Sequence, residues 1–208
     1  MEVGQRDVME SWLKFLNPQL LRSNLILASI YLAAWETFEH SVIGHIESFY
    51  LVGFDENKFT YSEDYKKVLA RDKSPFRASM LWFMDSGVVD AEDMVLADRA
   101  REHRNDIAHN LPMYVAKASH NVDVALLGEL CALLNKIDVW WIRSVEIPTD
   151  PDFDDQDVDA LPDSEIKSGN MLFMTMIFKI ATGDDAEASE LYNEFVKMSG
   201  SHRQPPPP

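Results

Sequence analysis

Apolar residues recur at three- and four-residue steps along most of this chain. Between positions 19 and 50, Leu25, Ile26, Ile30, Ala33, Ala34, Phe38, Val42, Ile46 and Phe49 keep that spacing, the mark of a helix with one buried face. Pro18 stands just ahead, where a helix start tolerates proline. Gly44 is the only glycine inside, so the segment reads as one long helix or two joined near Gly44. A clearer stripe follows Asn121: Leu127, Leu130, Leu134, Ile137 and Trp141 step by 3, 4, 3 and 4, widened by Leu126, Leu133 and Trp140.

The intervening segments carry start and stop signals. Residues 51–60, with Gly53 and Asn57, read as a loop. Thr60 and Glu63 have capping-box spacing for a short helix to about Arg71. Ser74 and Pro75 suit the N-cap and first position of a helix that runs through Met80 and Phe83 to Gly87. Asp90 caps the next helix, with Glu92 and Asp93 at its positive end. That helix is predicted to end at His109, where Asn110, Leu111 and Pro112 follow. A helix resumes around Ile166 or Asn170 and stops near Gly183, and Asp184 and Glu187 have capping-box spacing for a last one to about Met198. No segment alternates with period two and no repeat is present. The expectation is an all-α bundle of six to eight helices, with a lead segment over 1–18, one helical domain over 19–199 and an extended Pro-rich tail over 200–208.

Composition narrows the class. The 208 residues are 46% hydrophobic and 26% charged, which fits a globular chain and excludes a disordered or collagen-like one. The single cysteine, Cys131, excludes a disulfide within the chain and suits a reduced, intracellular setting. It sits among leucines, where a structural role is expected. No apolar run reaches the roughly 18–20 residues of a membrane span, and the first ten residues lack the apolar core of an export signal. The expected location is cytoplasmic, with no membrane partner. Thirty-five acidic residues against 19 basic ones give a net charge of −16, which excludes a general nucleic-acid-coating protein. Half of that charge comes from 150–165, where eight of sixteen residues are acidic and none is basic. With Pro148, Pro151 and Pro162 present, 148–165 reads as a solvated acidic loop or a dock for a basic partner.

Candidate chemistry concentrates in residues 98–110, which hold three arginines and two histidines. Asn105 and His109 lie one turn apart on nearly the same helix face, and Arg104, about 140° round, can reach past the backbone. Arginine grips a phosphate bidentately and stays charged; histidine moves a proton near neutral pH. Two plainer readings stand beside this. In one, the cations serve only the helix dipole; in the other, the chain is a scaffold in which His109 is buried and Arg104 is tied to Asp98 or Asp106. Elsewhere, His40 and His45 are five apart, not the four of a two-histidine zinc face, and Glu36 with His40 has no third ligand. No phosphate-binding glycine loop or nucleophile elbow is present, and the acidic run lacks the glycine and terminal glutamate of a calcium loop. No metal and no cofactor is expected. Trp35, Trp82, Trp140 and Trp141 fall on core stripes, and Met171, Met174 and Met176 would suit a dimer face.

The run Arg104-Asn105-Asp106-Ile107-Ala108-His109 resembles the Arg-x4-His signature of the HEPN superfamily, in which a polar residue, often Asn, follows the arginine. The run Leu27-Ala28-Ser29-Ile30-Tyr31-Leu32-Ala33-Ala34-Trp35-Glu36 is similar to the first long helix of such domains, where a polar or acidic residue often faces the motif. The likeness covers residues 20–145 in helix order; only the six-residue motif is specific.

The resemblance implies a small all-α domain that usually dimerises, bringing two motifs into a shared cleft. Many members are metal-independent endoribonucleases of toxin–antitoxin, abortive-infection and antiviral defence systems; others are non-catalytic nucleotide- or protein-binding modules. Carried onto this chain, His109 would be the general acid/base in attack of a ribose 2′-OH on the adjacent phosphate. Arg104 would bind that phosphate, Asn105 would orient His109 or substrate, and Glu36 would hold Arg104 or His109. The implied partners are RNA, tRNA among them, a second copy of the chain, and an antitoxin or regulatory protein. Some family toxins carry a tyrosine two residues after the histidine, modified by a partner enzyme; Leu111 stands there here, with Tyr114 further on, so control by that route is not implied. Arg101 and the stretch Lys66, Lys67, Arg71, Lys73 and Arg77 would line the RNA path, the plainer reading of that stretch being a solvated helix face.

Overall fold

The computed structural model describes residues 3–55, 58–153 and 161–183, with 189, 192, 193 and 196. Seven helices, one further single helical turn and one short hairpin are the main elements among the described residues. In chain order these are α1 (Val3–Leu16), α2 (Pro18–Phe49), β1 (Leu51–Asp55), β2 (Lys58–Tyr61), α3 (Glu63–Leu69), α4 (Pro75–Asp85), α5 (Ala91–Ala116) and α6 (Val124–Trp141). A π-turn over Ile142–Glu146 carries α6 into a single turn, α7 (Ile147–Thr149), and α8 (Gly169–Thr182) closes the described fold. The expected all-α class holds.

Helix α2 is the spine. Its 32 residues span about 48 Å, and α1, α4, α5, α6 and α8 all pack on it. Asn17 starts it by accepting from the amides of Gln19 and Leu20 at 3.0 and 3.1 Å. Gly44 does not divide it. A mid-helix glycine costs about 1 kcal/mol, less than the burial of Val42 and Ile46 on either side returns. Trp35, Phe38 and Phe76 form one aromatic knot with centroids 5.3 to 5.9 Å apart. Leu127, Leu130, Leu134 and Ile137 of α6 are buried as the stripe requires. Truncating one of them to alanine is a change that costs about 2–5 kcal/mol.

Several boundaries fall elsewhere than expected. Residues 51–61 form a hairpin, not a loop, pairing Gly53 with Thr60, Phe54 with Phe59 and Asp55 with Lys58. Both faces are largely in solvent, so no hydrophobic alternation announces it. Thr60 is inside β2, and α3 starts after Ser62, whose side chain makes no cap bond. The lead segment is itself a helix, α1, locked by Lys14. This buried ammonium donates to the carbonyls of Lys117 and His120 and to Asn121 Oδ1 at 2.9, 2.6 and 3.2 Å. Asn121 therefore holds Lys14, while Asp123 caps α6 by accepting from the Leu126 amide. Gly87 stops the chain after α4 with φ 75°, a conformation glycine adopts without steric cost. Ser168 caps α8, and Arg143 ties Asp163 and the Leu161 carbonyl to the end of α6. The middle of the acidic stretch (154–160), most of the expected last helix and the tail lie outside the described residues. Among the described residues, no helix is long and apolar enough to cross a membrane.

The largest departure concerns α5. It does not end at His109 but continues to Ala116 through a bend at Asn110 (φ −119°, ψ 24°). Pro112 has no N–H to give the Ala108 carbonyl, so the ladder breaks there. Asp106 bridges the bend, accepting from Asn110 Nδ2 at 2.7 Å and from the Tyr114 hydroxyl.

Candidate functional site

On α5, Ala97, Ala100 and Ile107 are buried at helical spacing, and Arg104 falls on the same stripe. A charged residue at a core-facing position needs a partner. Glu36, on α2, supplies it: Arg104 Nη2 donates to Glu36 Oε1. Arg104 Nη1 donates to Asn105 Oδ1 at 3.1 Å, and Nε is buried with no partner among the described residues. Of the five N–H groups of a guanidinium, one hydrogen on each Nη is left unspent. Both members of the pair are partly open, with side chains 31% and 44% exposed. Neither Asp98 nor Asp106 takes Arg104, as the scaffold reading required; Arg77 holds Asp98.

His109 sits at the end of the straight part of α5 and is exposed, where the scaffold reading had it buried. Among the described residues it makes no hydrogen bond, ion pair or ring contact. A straight helix carries it about 7.5 Å along the axis from Arg104. Asn105 is turned back to Arg104, not forward to His109. The bend at Asn110 follows directly, so the imidazole ends a turn whose downstream backbone leaves the helix axis.

A second layer fixes that bend. Burial raises the Tyr114 hydroxyl above its usual range, and its bond to Asp106 adds to the shift. The same bond, with that from Asn110, lowers the Asp106 carboxyl. His103 accepts from the Asp123 amide at Nε2 (3.0 Å), so Nδ1 carries the proton of the neutral ring and faces the Tyr114 oxygen at 3.5 Å. Burial lowers the His103 pKa, with Asp123 and Asp106 pulling the other way. Tyr31 packs edge-on to His103 and donates to the Ala100 carbonyl. His103, Asp106 and Tyr114 were not foreseen as parts of one network; the Asp106–Asn110–Tyr114 spacing of four and four was its visible signal.

Sequence reasoning also missed a deeper cluster. Asp138 is 1% exposed on the apolar stripe of α6. It accepts from Ser41 Oγ at 2.7 Å, His45 Nε2 at 3.0 Å and Asn170 Nδ2 at 3.1 Å. Burial pushes its pKa up, but the bonds from His45, Ser41 and Asn170, with the Ser168 hydroxyl nearby, outweigh that and hold it below the usual carboxylate range. His45 also stacks on Trp141, centroids 4.5 Å apart. Serine, histidine and aspartate meet here, yet not as a relay. Ser41 and Asp138 both contact the same ring nitrogen, whereas a relay needs one partner on each nitrogen. An aspartate inside the run Ile137-Asp138-Val139-Trp140-Trp141 was the signal available.

The basic stretch is largely spent. Lys66 pairs with Glu63, Lys67 with Asp64, Arg71 with Asp85, and Arg77 with Asp98 and Asp72. Arg101 also reaches Asp98, at 3.5 Å. Lys73 is exposed and has no carboxylate partner among the described residues. Cys131 is half-buried and its thiol is pushed up by burial. His40 and His45 go to different partners, and no group of three ligand-type side chains placed to hold a metal occurs among the described residues. Met174 is core, while Met176 is exposed.

Comparison with protein-family models, curated proteins and solved structures gives no match.

Proposed function

We propose that the chain is a HEPN-like, metal-independent endoribonuclease of a defence or toxin-like stress system, acting as a homodimer on RNA such as tRNA. One observation carries this reading: Glu36 braces Arg104 from the neighbouring helix and leaves N–H groups unspent, about 7.5 Å along α5 from an exposed His109. Such a guanidinium can bind a phosphate without first losing its brace. His109 would take the 2′-hydroxyl proton as the 2′-oxygen attacks phosphorus, and Arg104 would hold the charge that builds on the phosphoryl oxygens. The 5′-oxygen leaves with a proton, so the ends are a 2′,3′-cyclic phosphate and a 5′-hydroxyl. Control by an antitoxin or regulatory protein belongs to the same proposal.

A second reading has its own support. Four of the five cations in residues 66–77 are paired with carboxylates, which weakens the field that would draw a polyanion in. A non-catalytic nucleotide- or protein-binding module needs no such field.

Incubation with total RNA and purified tRNA in EDTA separates the two. The ribonuclease reading expects the wild-type chain to leave 2′,3′-cyclic phosphate ends and His109→Ala to leave the RNA intact. Cleavage by both proteins equally rejects the role of His109; no cleavage by either favours the binding module.

A further inference from the structure

Beside the Arg104–Glu36 pair lies a hollow of about 310 Å³, lined by Glu36, Thr37 and His40 of α2 and by Asn170 and Phe173 of α8. Its size is at the lower end of small-ligand sites, and its polar groups present acceptors. Asn170 gives its Nδ2 to Asp138. That bond fixes the amide's orientation and leaves Oδ1 with no partner among the described residues. His40 Nδ1 lies 2.9 Å from the Glu36 carbonyl. A carbonyl only accepts, so the neutral ring keeps Nε2 as an acceptor. Glu36 spends Oε1 on Arg104 and keeps Oε2. Thr37 adds a hydroxyl. Phe173 adds an aromatic face, 53% exposed, with no ring partner among the described residues. The charge of Arg104 offsets that of Glu36, so an anionic ligand is not turned away.

We infer that this hollow is a nucleobase subsite that takes guanine, stacked on Phe173 with its donor edge turned to Asn170, His40 and Glu36. Guanine places an N–H and an amino group side by side on one edge. Adenine, cytosine and uracil place ring-nitrogen or carbonyl acceptors there, which an acceptor-rich lining disfavours. The Thr37 hydroxyl can donate to the remaining guanine carbonyl. The proposed function enters only in setting this base beside the phosphate to be cut; nucleotide binding itself does not depend on cleavage.

The test titrates full-length His109→Ala with GMP, AMP, CMP and UMP by calorimetry. GMP is expected to bind at least about tenfold more tightly than UMP. Phe173→Ala is expected to weaken GMP about tenfold, the loss typical of a base–aromatic stack. Leu172→Ala, equally exposed at 53% and outside the hollow, should bind GMP as its parent does. Absence of GMP binding, equal binding of GMP and UMP, or unchanged GMP affinity in Phe173→Ala overturns the subsite. A Phe173→Ala chain that loses only self-association in light scattering also overturns it, by assigning the ring to a contact between copies. In the wild-type chain, GMP binding without RNA cleavage keeps the subsite and rejects the ribonuclease; cleavage without GMP binding does the reverse.

Discussion

At Ser41 and His45, helix α2 meets a carboxylate closed off from water; little more than a turn earlier, at Glu36, it meets a guanidinium that is not. Both clusters join α2 to a helix far along the chain, and both contain a histidine close in sequence. They differ in what they leave unused. Asp138 accepts from Ser41, His45 and Asn170, and His45 is further pinned against Trp141. Arg104 keeps free hydrogens, and His109 makes no hydrogen bond, ion pair or ring contact among the described residues. A satisfied buried cluster holds structure in place; a braced but unspent one can meet a ligand. Residue type does not separate the two, and hydrogen-bond accounting does.

Exchanging the two histidines is the strongest way to break that contrast. His109→Ala is expected to lower RNA cleavage about a thousandfold, within the range of a general acid–base group, without moving the urea midpoint. His45→Ala is expected to retain cleavage and lose about 2 kcal/mol of stability, because Asp138 is left one donor short. Loss of cleavage in a stable His45→Ala protein would move the chemistry to the wrong cluster.

Asp138→Ala is expected to cost about 3 kcal/mol in urea unfolding, since it strands three buried or half-buried donors at once. The same cluster sets an acid limb. The folded Asp138 carboxyl titrates below its unfolded value, near 3.9. Its contribution is therefore full above that pH and fades as pH falls through the lower folded value. Stability curves from pH 5 to pH 2 should be steeper for wild type than for Asp138→Asn, and parallel curves would contradict the assignment.

His103 gives a milder effect at higher pH. Its folded pKa is lowered, so the unfolded chain binds a proton first as pH drops below about 6.5. Stability should therefore fall on acidification from pH 7 toward 5, and His103→Gln should flatten that slope. The smallest effect sharpens the contrast between spent and unspent charge. Lys73→Glu is expected to weaken RNA binding about threefold at low salt, as the loss of one phosphate contact does. Lys67→Glu, already neutralised by Asp64, should change it far less.

The helices that bury a stripe could be read from the sequence because burial imposes a period. That holds for α2 and α6, and for α4 with its serine cap and proline. Elements that bury little could not be read this way. The 51–61 hairpin shows solvent on both faces, and α1 hides one lysine rather than an apolar row. The end of α5 misled for a different reason. Proline and asparagine there forbid a regular ladder, but Asp106 carries the helix across the gap through side chains, a device periodicity does not register. At the site, Arg104, Asn105 and His109 were visible as a six-residue motif, and Glu36 only as a residue of the right type on the right helix. Asp138 and His103 were not visible, because their meaning lies in partners 93 and 20 residues away.

The order in which the polar partners are synthesised carries a consequence for a chain still on the ribosome. Helix α2 is complete by Phe49, yet its carboxylate Glu36 waits for Arg104, 68 residues later. Ser41 waits for Asp138, 97 residues later, and Asp138 is fully ligated only when Asn170 arrives. At ordinary translation speed this delay is on the order of ten seconds. For that interval the spine exists without its polar counterparts. The guanidinium is braced only once the helices that brace it are docked, so a truncated or stalled chain carries the motif but not the site.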